Sequence, residues 1–140
     1  MYDAVELSKY IIAKCIDDNC PISNLQLQKI LYYIQKFFLV NNSLAFSDNI
    51  EAWQFGPVVP NSYYKFCGFG SMPITIKHDC SDICIDDKKN IDQLIISKRQ
   101  MDPWELVEET HKSGGAWDQI YKNGLGNHQI IPIELIKEYG

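Results

Sequence analysis

The segment ISNLQLQKILYYIQKFFLV, residues 22–40, contains the strongest helix signal in the chain. Ser23 can cap this helix, and Gln26 follows at the spacing of a capping box. Apolar side chains then recur at helical intervals; they are Leu27, Ile30, Leu31, Ile34, Phe37 and Phe38. Because burying one such side chain stabilises a fold by roughly 1.5–3 kcal/mol, we predict that this helix is the centre of the core.

Capping residues also predict helices before and after this segment. Asp3, with Glu6 three residues later, predicts an N-terminal helix that ends near residues 17–19. Asp102, followed directly by Pro103, predicts another helix start, because proline suits the first helical turn. Shorter helices are predicted from Asn61 to residue 66, around residues 91–95, over residues 116–121 and after Pro132.

Short apolar runs predict a small sheet. Residues 50–55 have the composition of a strand, which the glycine and proline that follow should end. Residues 73–77 and 83–85 are of strand length and predict a hairpin across the loop at residues 78–82. Together these patterns predict a mainly α fold of the α+β class. It should contain about six helices and a two- or three-stranded antiparallel element, in a single domain over residues 1–140.

The charge of the chain disfavours nucleic acid as a partner. There are 13 Lys and Arg residues against 18 Asp and Glu, for a formal net charge of -5. Nucleic-acid-binding proteins usually carry a basic stripe, whereas a negative surface attracts a basic partner. No apolar run approaches the roughly 20 residues that span a bilayer, and the first residues lack a signal-peptide pattern. The five cysteines therefore predict reduced thiols in a cytoplasmic protein.

Residue types that serve metal and catalytic sites are present without the patterns such sites require. His78, Cys80 and Cys84 lie close together, but no second pair completes the four ligands of a structural zinc site. No elbow such as G-x-S-x-G surrounds a serine or cysteine that could act as a nucleophile. We therefore predict no metal, no cofactor and no catalytic residue.

Residues 53–60, with the sequence WQFGPVVP, are the best candidate for a binding surface. Trp53 and Phe55 could enter the core while the prolines shape a turn, because large aromatic side chains are mostly buried. Alternatively, the segment is a rigid apolar ledge, which loses little entropy on docking and offers aromatic anchors. Strict strand alternation would place Trp53 and Phe55 on one face, opposite Ala52 and Gln54.

A second glycine break, at Gly114 and Gly115, is flanked by His111 and Trp117. His111 stands near the end of its predicted helix, where a cation interacts favourably with the helix dipole. The alternative is that His111 and Trp117 take part in binding.

Three stretches resemble motifs of the SocA-like Panacea antitoxin family. Residues 22–33 resemble its I-S-N-L-K-L-Q-K-L-L-Y-Y signature, with Gln26 in place of the usual lysine. Residues 50–60 resemble its E-A-W-x-x-G-P-V-V-P motif. Residues 110–117 resemble its T-H-x-E…W element, although residues 113–115 read SGG where an acid is usual.

The resemblance implies an antitoxin, a phage-associated protein often encoded in a prophage beside its toxin. It implies neutralisation of a cognate toxin by direct protein contact, and possible delivery of that toxin to an AAA+ protease by a proteolytic adaptor. It brings no enzymatic site. The alternatives are a DNA-binding regulator of its own operon, built on the helices at residues 3–17 and 23–41, and a phage-associated enzyme of unknown type. The candidate partner-binding or family-motif residues are Trp53, Phe55, Gly56, Pro57, Val58, Pro60, Tyr63, His111 and Trp117.

Overall fold

The computed structural model describes residues 1–80 and 82–140. Within them the chain forms seven α-helices and a three-stranded antiparallel sheet, which confirms the predicted α+β class. The helices are α1 (Ala4–Asp17), α2 (Asn24–Val40), α3 (Pro60–Phe66), α4 (Ile85–Arg99), α5 (Pro103–Thr110), α6 (Ala116–Tyr121) and α7 (Ile133–Tyr139). The strands are β1 (Glu51–Trp53), β2 (Gly56–Val58) and β3 (Gln129–Ile130). None of the helices in these residues combines the length and the apolar character that crossing a membrane requires.

Helix α2 lies at the centre of the core, as predicted, and packs against α1, α3, α4, α5, α7 and β2. Ser23 and Gln26 each accept a hydrogen bond from the other's backbone N–H, which confirms the capping box. The predicted apolar stripe is buried except for Phe37, which is half-buried. Polar side chains of the same helix are buried too; they are Asn24, Gln28, Lys29 and Gln35. The helix is therefore enclosed on nearly every side.

Every helix predicted from the sequence is present, and capping residues explain most of the starts. Asp3 accepts hydrogen bonds from the first backbone N–H groups of α1, and Asp102 accepts one from α5. The predicted cap at Asn61 is wrong, because Pro60 already begins α3. The Asn61 amide instead donates to Asp48 at 2.7 Å.

The sheet is built around β1, in the order β2-β1-β3. Gln54 and Phe55 form a two-residue turn, after which β2 pairs back with Gly56 opposite Trp53. The predicted strand does end before the Gly-Pro pair, although at Trp53 and not at Phe55, and the pair begins a second strand that the sequence did not predict. Pro57 is tolerated there because β2 is an edge strand, where a missing N–H removes no ladder hydrogen bond.

The predicted hairpin of residues 73–77 and 83–85 is wrong. Ile74 is a single buried anchor whose backbone N–H donates to the Ile22 carbonyl at 2.8 Å. The second run leads directly into α4, and the loop between the two runs contains Ser81, which lies outside the described residues. The third strand is β3, much later in the chain, so a pattern confined to neighbouring residues could not identify it.

Helix α4, predicted around residues 91–95, is attached to α1 and the N-terminus by hydrogen bonds between tyrosines and carboxylates. The Tyr2 hydroxyl donates to Asp87 at 2.6 Å, and the Tyr10 hydroxyl donates to Asp92 at 2.5 Å. Burial, followed by the bond to Asp87, raises the pKa of Tyr2 to about 12. These bonds hold α4 in place beside its apolar contact with α2.

Candidate partner-binding site

The turn between β1 and β2 is held from inside the molecule by a lysine of α2. Lys29 is fully buried, and its Nζ donates a hydrogen bond to the carbonyl of Phe55. Burial lowers the pKa of Lys29 to about 7, because the charged amine is removed from water. Burial therefore favours the neutral amine at a lower pH than in an exposed lysine.

Gly56 lies in the gap between Lys29 and Thr110. Its φ of +123° belongs to a backbone region that residues with a side chain rarely adopt. A Cβ atom at Gly56 would overlap the Lys29 Nζ and would stand 3.0 Å from the Thr110 hydroxyl. Backbone conformation and available space therefore both require glycine at this position.

Trp117 of α6 fixes the end of β1. Its indole Nε1 donates a hydrogen bond to the Trp53 carbonyl at 2.7 Å. The Trp117 ring also stacks on His111, with 3.7 Å between ring centroids, and on Tyr121, with 4.5 Å. The family-motif histidine and tryptophan thus form a stacked support under the hairpin.

His111 is part of this support. Burial lowers its pKa, the charge of Lys29 acts in the same direction, and the nearby Phe55 carbonyl opposes both. Its Nε2 atom is buried and makes no hydrogen bond of normal geometry within residues 1–80 and 82–140. His111 does lie at the end of α5, as its C-cap residue, but its lowered pKa disfavours the predicted role as a charged residue there.

The outer side of the hairpin exposes aromatic side chains. The Trp53 ring contacts those of Tyr63 and Tyr64, with centroids 4.9 and 5.8 Å apart. Phe55 is 51% exposed and meets Trp104 of α5, itself 63% exposed, with 6.3 Å between centroids. We call this surface the aromatic ledge, formed by Trp53, Phe55, Tyr63, Tyr64 and Trp104.

A cleft of about 460 Å³ opens beside the aromatic ledge. Trp53, Phe55 and Val58 supply apolar walls, and no Lys, Arg, Asp or Glu is among the residues that line the cleft. His128 closes one side, where its ring stacks on Trp53 with 4.4 Å between centroids. The backbone φ of His128 is +68°, an uncommon value for a residue other than glycine.

Helix α5 places two carboxylates next to the aromatic ledge. Glu108 stands four residues after Trp104 and so on the same side of α5, and the exposed Glu105 is three residues before Glu108. In the part of the chain that the structure describes, neither forms an ion pair, whereas Glu109 binds Lys98 at 2.7 Å. The ledge therefore ends at an acidic rim, which we define as Glu105 and Glu108.

The structure brings the predicted candidate residues to the hairpin and the elements that support it, but divides them between two faces. The buried ones are Gly56, Pro57, Val58 and Trp117; the half-buried ones are Trp53, Pro60, Tyr63 and His111; and Phe55 is exposed. The predicted alternation fails after Trp53. Gln54 and Phe55 are both turn residues, and both are exposed.

Three residues of this site were not predicted from the sequence; they are Lys29, Trp104 and His128. No periodic signal marks Lys29 for burial, because its acceptor belongs to the distant hairpin. Trp104 stands in a helix-start motif, but its position opposite the buried Leu106 could have indicated exposure. His128 had no local signal, since its conformation depends on the pairing of β3 with β1.

The described residues hold no group of three or more His, Cys, Asp or Glu side chains that could bind a metal ion. All five cysteines are free thiols: Cys15 is buried, while Cys67 and Cys84 are exposed. The predicted cluster of His78, Cys80 and Cys84 therefore has no described partners that would complete a site.

The fold and its exposed hairpin define a small α+β protein with an aromatic surface resting on a buried polar support. Residues 27–118 match the SocA-like antitoxin Panacea domain, a range that contains most of α2, the hairpin, His111 and Trp117. Antitoxin SocA of Caulobacter vibrioides (strain NA1000 / CB15N) is 34% identical over 146 residues, which covers 95% of this chain and 77% of the relative. The chain therefore belongs to the SocA-like Panacea antitoxin family, as the sequence motifs indicate. No solved structure matches it.

Proposed function

We propose that this antitoxin neutralises a cognate toxin by binding it directly through the aromatic ledge and the adjoining cleft. The observation that carries the proposal is the exposure of Phe55 and Trp104, at 51% and 63%, beside an uncharged cleft. Large aromatic side chains next to a pocket are typical of the residues that dominate protein interfaces. The proposed activity is binding without catalysis, in the cytoplasm.

The support beneath the hairpin favours tight binding. Lys29 and Trp117 donate hydrogen bonds to the carbonyls of Phe55 and Trp53. The side chains of these two residues belong to the aromatic ledge. A surface that is already ordered loses little conformational entropy when a partner docks. The favourable free energy of the aromatic contacts is therefore offset less by the entropy cost of ordering the hairpin.

Two mechanisms of neutralisation are proposed. The antitoxin can cover the active surface of the toxin, for which the net charge of -5 suits a basic toxin. It can also act as a proteolytic adaptor that delivers the bound toxin to an AAA+ protease. A pulse-chase measurement of toxin half-life separates them, because only the adaptor mechanism shortens that half-life in the presence of the antitoxin.

The rival reading, a DNA-binding regulator of the operon, lacks support from helix α2. That helix would have to enter a groove, yet it is enclosed by other elements. Lys29 is buried, and Lys36 donates to the Gly140 carbonyl. A gel shift with the upstream DNA at physiological salt tests the rival directly.

Co-expression with the product of the adjacent reading frame tests the proposal. We expect the wild-type chain to restore growth and to co-purify with that product. Phe55→Ser should abolish both effects, because it removes an exposed aromatic anchor. Ile85→Ser is the matched control, since Ile85 is 84% exposed on α4, away from the ledge, and this variant should behave as the wild type. If the wild-type chain neither relieves toxicity nor co-purifies, the proposal fails.

A further inference from the structure

The α5 end of the aromatic ledge differs chemically from the cleft. The cleft is lined without charged side chains, whereas Trp104 lies on the same helix as the exposed Glu105 and Glu108. Trp104 meets Phe55 at an interplanar angle of 70°, so the contact is edge to face. With 63% of Trp104 exposed, much of the indole is open to a partner.

The lysines near the α5 end of the aromatic ledge already bind other groups of the chain. Lys98 pairs with Glu109 at 2.7 Å, and Lys112 donates to the Gly140 carbonyl at 2.9 Å. The acidic rim therefore keeps its negative charge within the described part of the chain. An indole flanked by carboxylates fits a guanidinium group, which stacks on aromatic rings and binds carboxylates through two parallel hydrogen bonds.

We propose that the aromatic ledge and acidic rim bind a basic segment of the toxin, whose arginine lies on Trp104 next to Glu105 and Glu108. This inference rests on the proposed function and names the chemistry of its partner. Phe55 belongs both to the cleft wall and to the contact with Trp104. An apolar side chain next to the arginine would therefore enter the uncharged cleft.

Charge complementarity favours this occupant over the others. The chain carries 18 acidic against 13 basic residues, so a second copy would bring like charge to the acidic rim. A nucleic acid would bring phosphates to the same carboxylates. A basic polypeptide is the occupant that gains from both the aromatic and the acidic parts of this surface.

The test is calorimetric titration of the purified antitoxin with the purified product of the adjacent reading frame, at 50 and 300 mM NaCl. Glu105→Gln with Glu108→Gln should weaken binding about 10-fold at low salt, and by less at high salt, because salt screens exposed charges. Trp104→Ala should weaken binding by a similar factor at both salt concentrations. The matched control, Glu134→Gln with Glu138→Gln on α7, changes the net charge equally and should alter Kd less than 2-fold.

Several outcomes overturn the inference while leaving the proposed function standing. One is wild-type binding that the Glu105→Gln, Glu108→Gln pair leaves unchanged at 50 mM NaCl. Another is an equal loss in the control pair, which would indicate a general charge effect. A third is a dimer of the antitoxin, seen by analytical ultracentrifugation, that Trp104→Ala dissociates. Absence of binding by the wild-type chain overturns the inference together with the proposed function.

Discussion

The inner and outer faces of the β1–β2 hairpin are built from opposite kinds of contact. On the inner face, Lys29 and Trp117 bind main-chain carbonyls, and Gly56 leaves no room for another atom. On the outer face, Phe55 and Trp104 meet at one edge and are otherwise exposed. The difference teaches that the residues that hold the hairpin in place are not those that it exposes to a proposed partner.

Among the substitutions that test this comparison, Gly56→Ala should reduce the free energy of unfolding most. The substitution combines an unfavourable φ with overlap at Lys29, so we expect unfolding to become easier by roughly 2–5 kcal/mol. Urea denaturation measures the loss. Gly68→Ala is the control, since no atom lies within 4 Å of its added Cβ, and it should change stability by less than about 0.5 kcal/mol. Equal effects at the two glycines would contradict the view that the inner face has no space for a side chain at Gly56.

Lys29→Met should change the pH dependence of stability. The pKa of Lys29 is about 7 when folded, below the usual 10.5, so the unfolded chain binds more protons between these values. Stability of the wild type should therefore rise with pH across this window, by up to about 1.4 kcal/mol per pH unit. Lys29 adds no slope below pH 7, where the lowered pKa of His111 contributes a separate rise below about pH 6.5.

Denaturation at pH 7, 7.5 and 8 measures the slope that Lys29→Met should remove. The raised pKa of the buried Cys15 thiol lowers stability only near pH 9 and above, so the chosen range avoids it. Lys65→Met, at an exposed lysine of α3, is the control and should retain the wild-type slope. A retained slope in Lys29→Met would show that another group titrates.

The same substitution should have unequal effects at two tryptophans. Trp117→Phe removes the buried donor to the Trp53 carbonyl, which should reduce stability by about 1–3 kcal/mol. Trp104→Phe makes the same change on the outer face, where no indole hydrogen bond is lost, and should alter stability by less than about 0.5 kcal/mol. Thermal unfolding of both variants gives the comparison. Similar losses would mean that the outer face also contributes to stability.

Tyr64→Ser on the outer face should also have little effect on stability. Tyr64 is 60% exposed, so its loss should change stability by less than about 1 kcal/mol. Its effect should appear instead in co-purification with the toxin, because Tyr64 belongs to the aromatic ledge. If Tyr64→Ser unfolds readily but still binds the toxin, Tyr64 contributes to stability and not to binding, which contradicts the proposed role of the outer face.

Local signals in the sequence were sufficient for α2 and for most of the other helices. Ser23, Asp3 and Asp102 each cap a helix by accepting hydrogen bonds from residues at most three positions away, so their roles can be inferred from the neighbouring sequence. The mainly helical fold class follows from them. That residues 1–140 form a single domain stays a prediction, which coincident unfolding by two probes would support.

Features that depend on distant partners could not be predicted. Lys29 can be buried because a carbonyl 26 residues further along the chain accepts a hydrogen bond from its Nζ. Strand β3 and the stacking of His128 on Trp53 depend on pairing with β1, more than 70 residues earlier. The candidate segment at residues 53–60 was found from its composition, but which of its side chains face outward depends on the turn at Phe55.

Pro57 has a consequence for aggregation. Exposed apolar surface beside an unpaired strand edge usually invites another chain to add a strand, which leads to polymers. Strand β2 is such an edge, but a proline within it cannot donate to an incoming backbone, and β3 at the opposite edge is only Gln129–Ile130. The protein can therefore display aromatic side chains while discouraging fibre-like self-association, and the proposed partner would bind those side chains without extending the sheet.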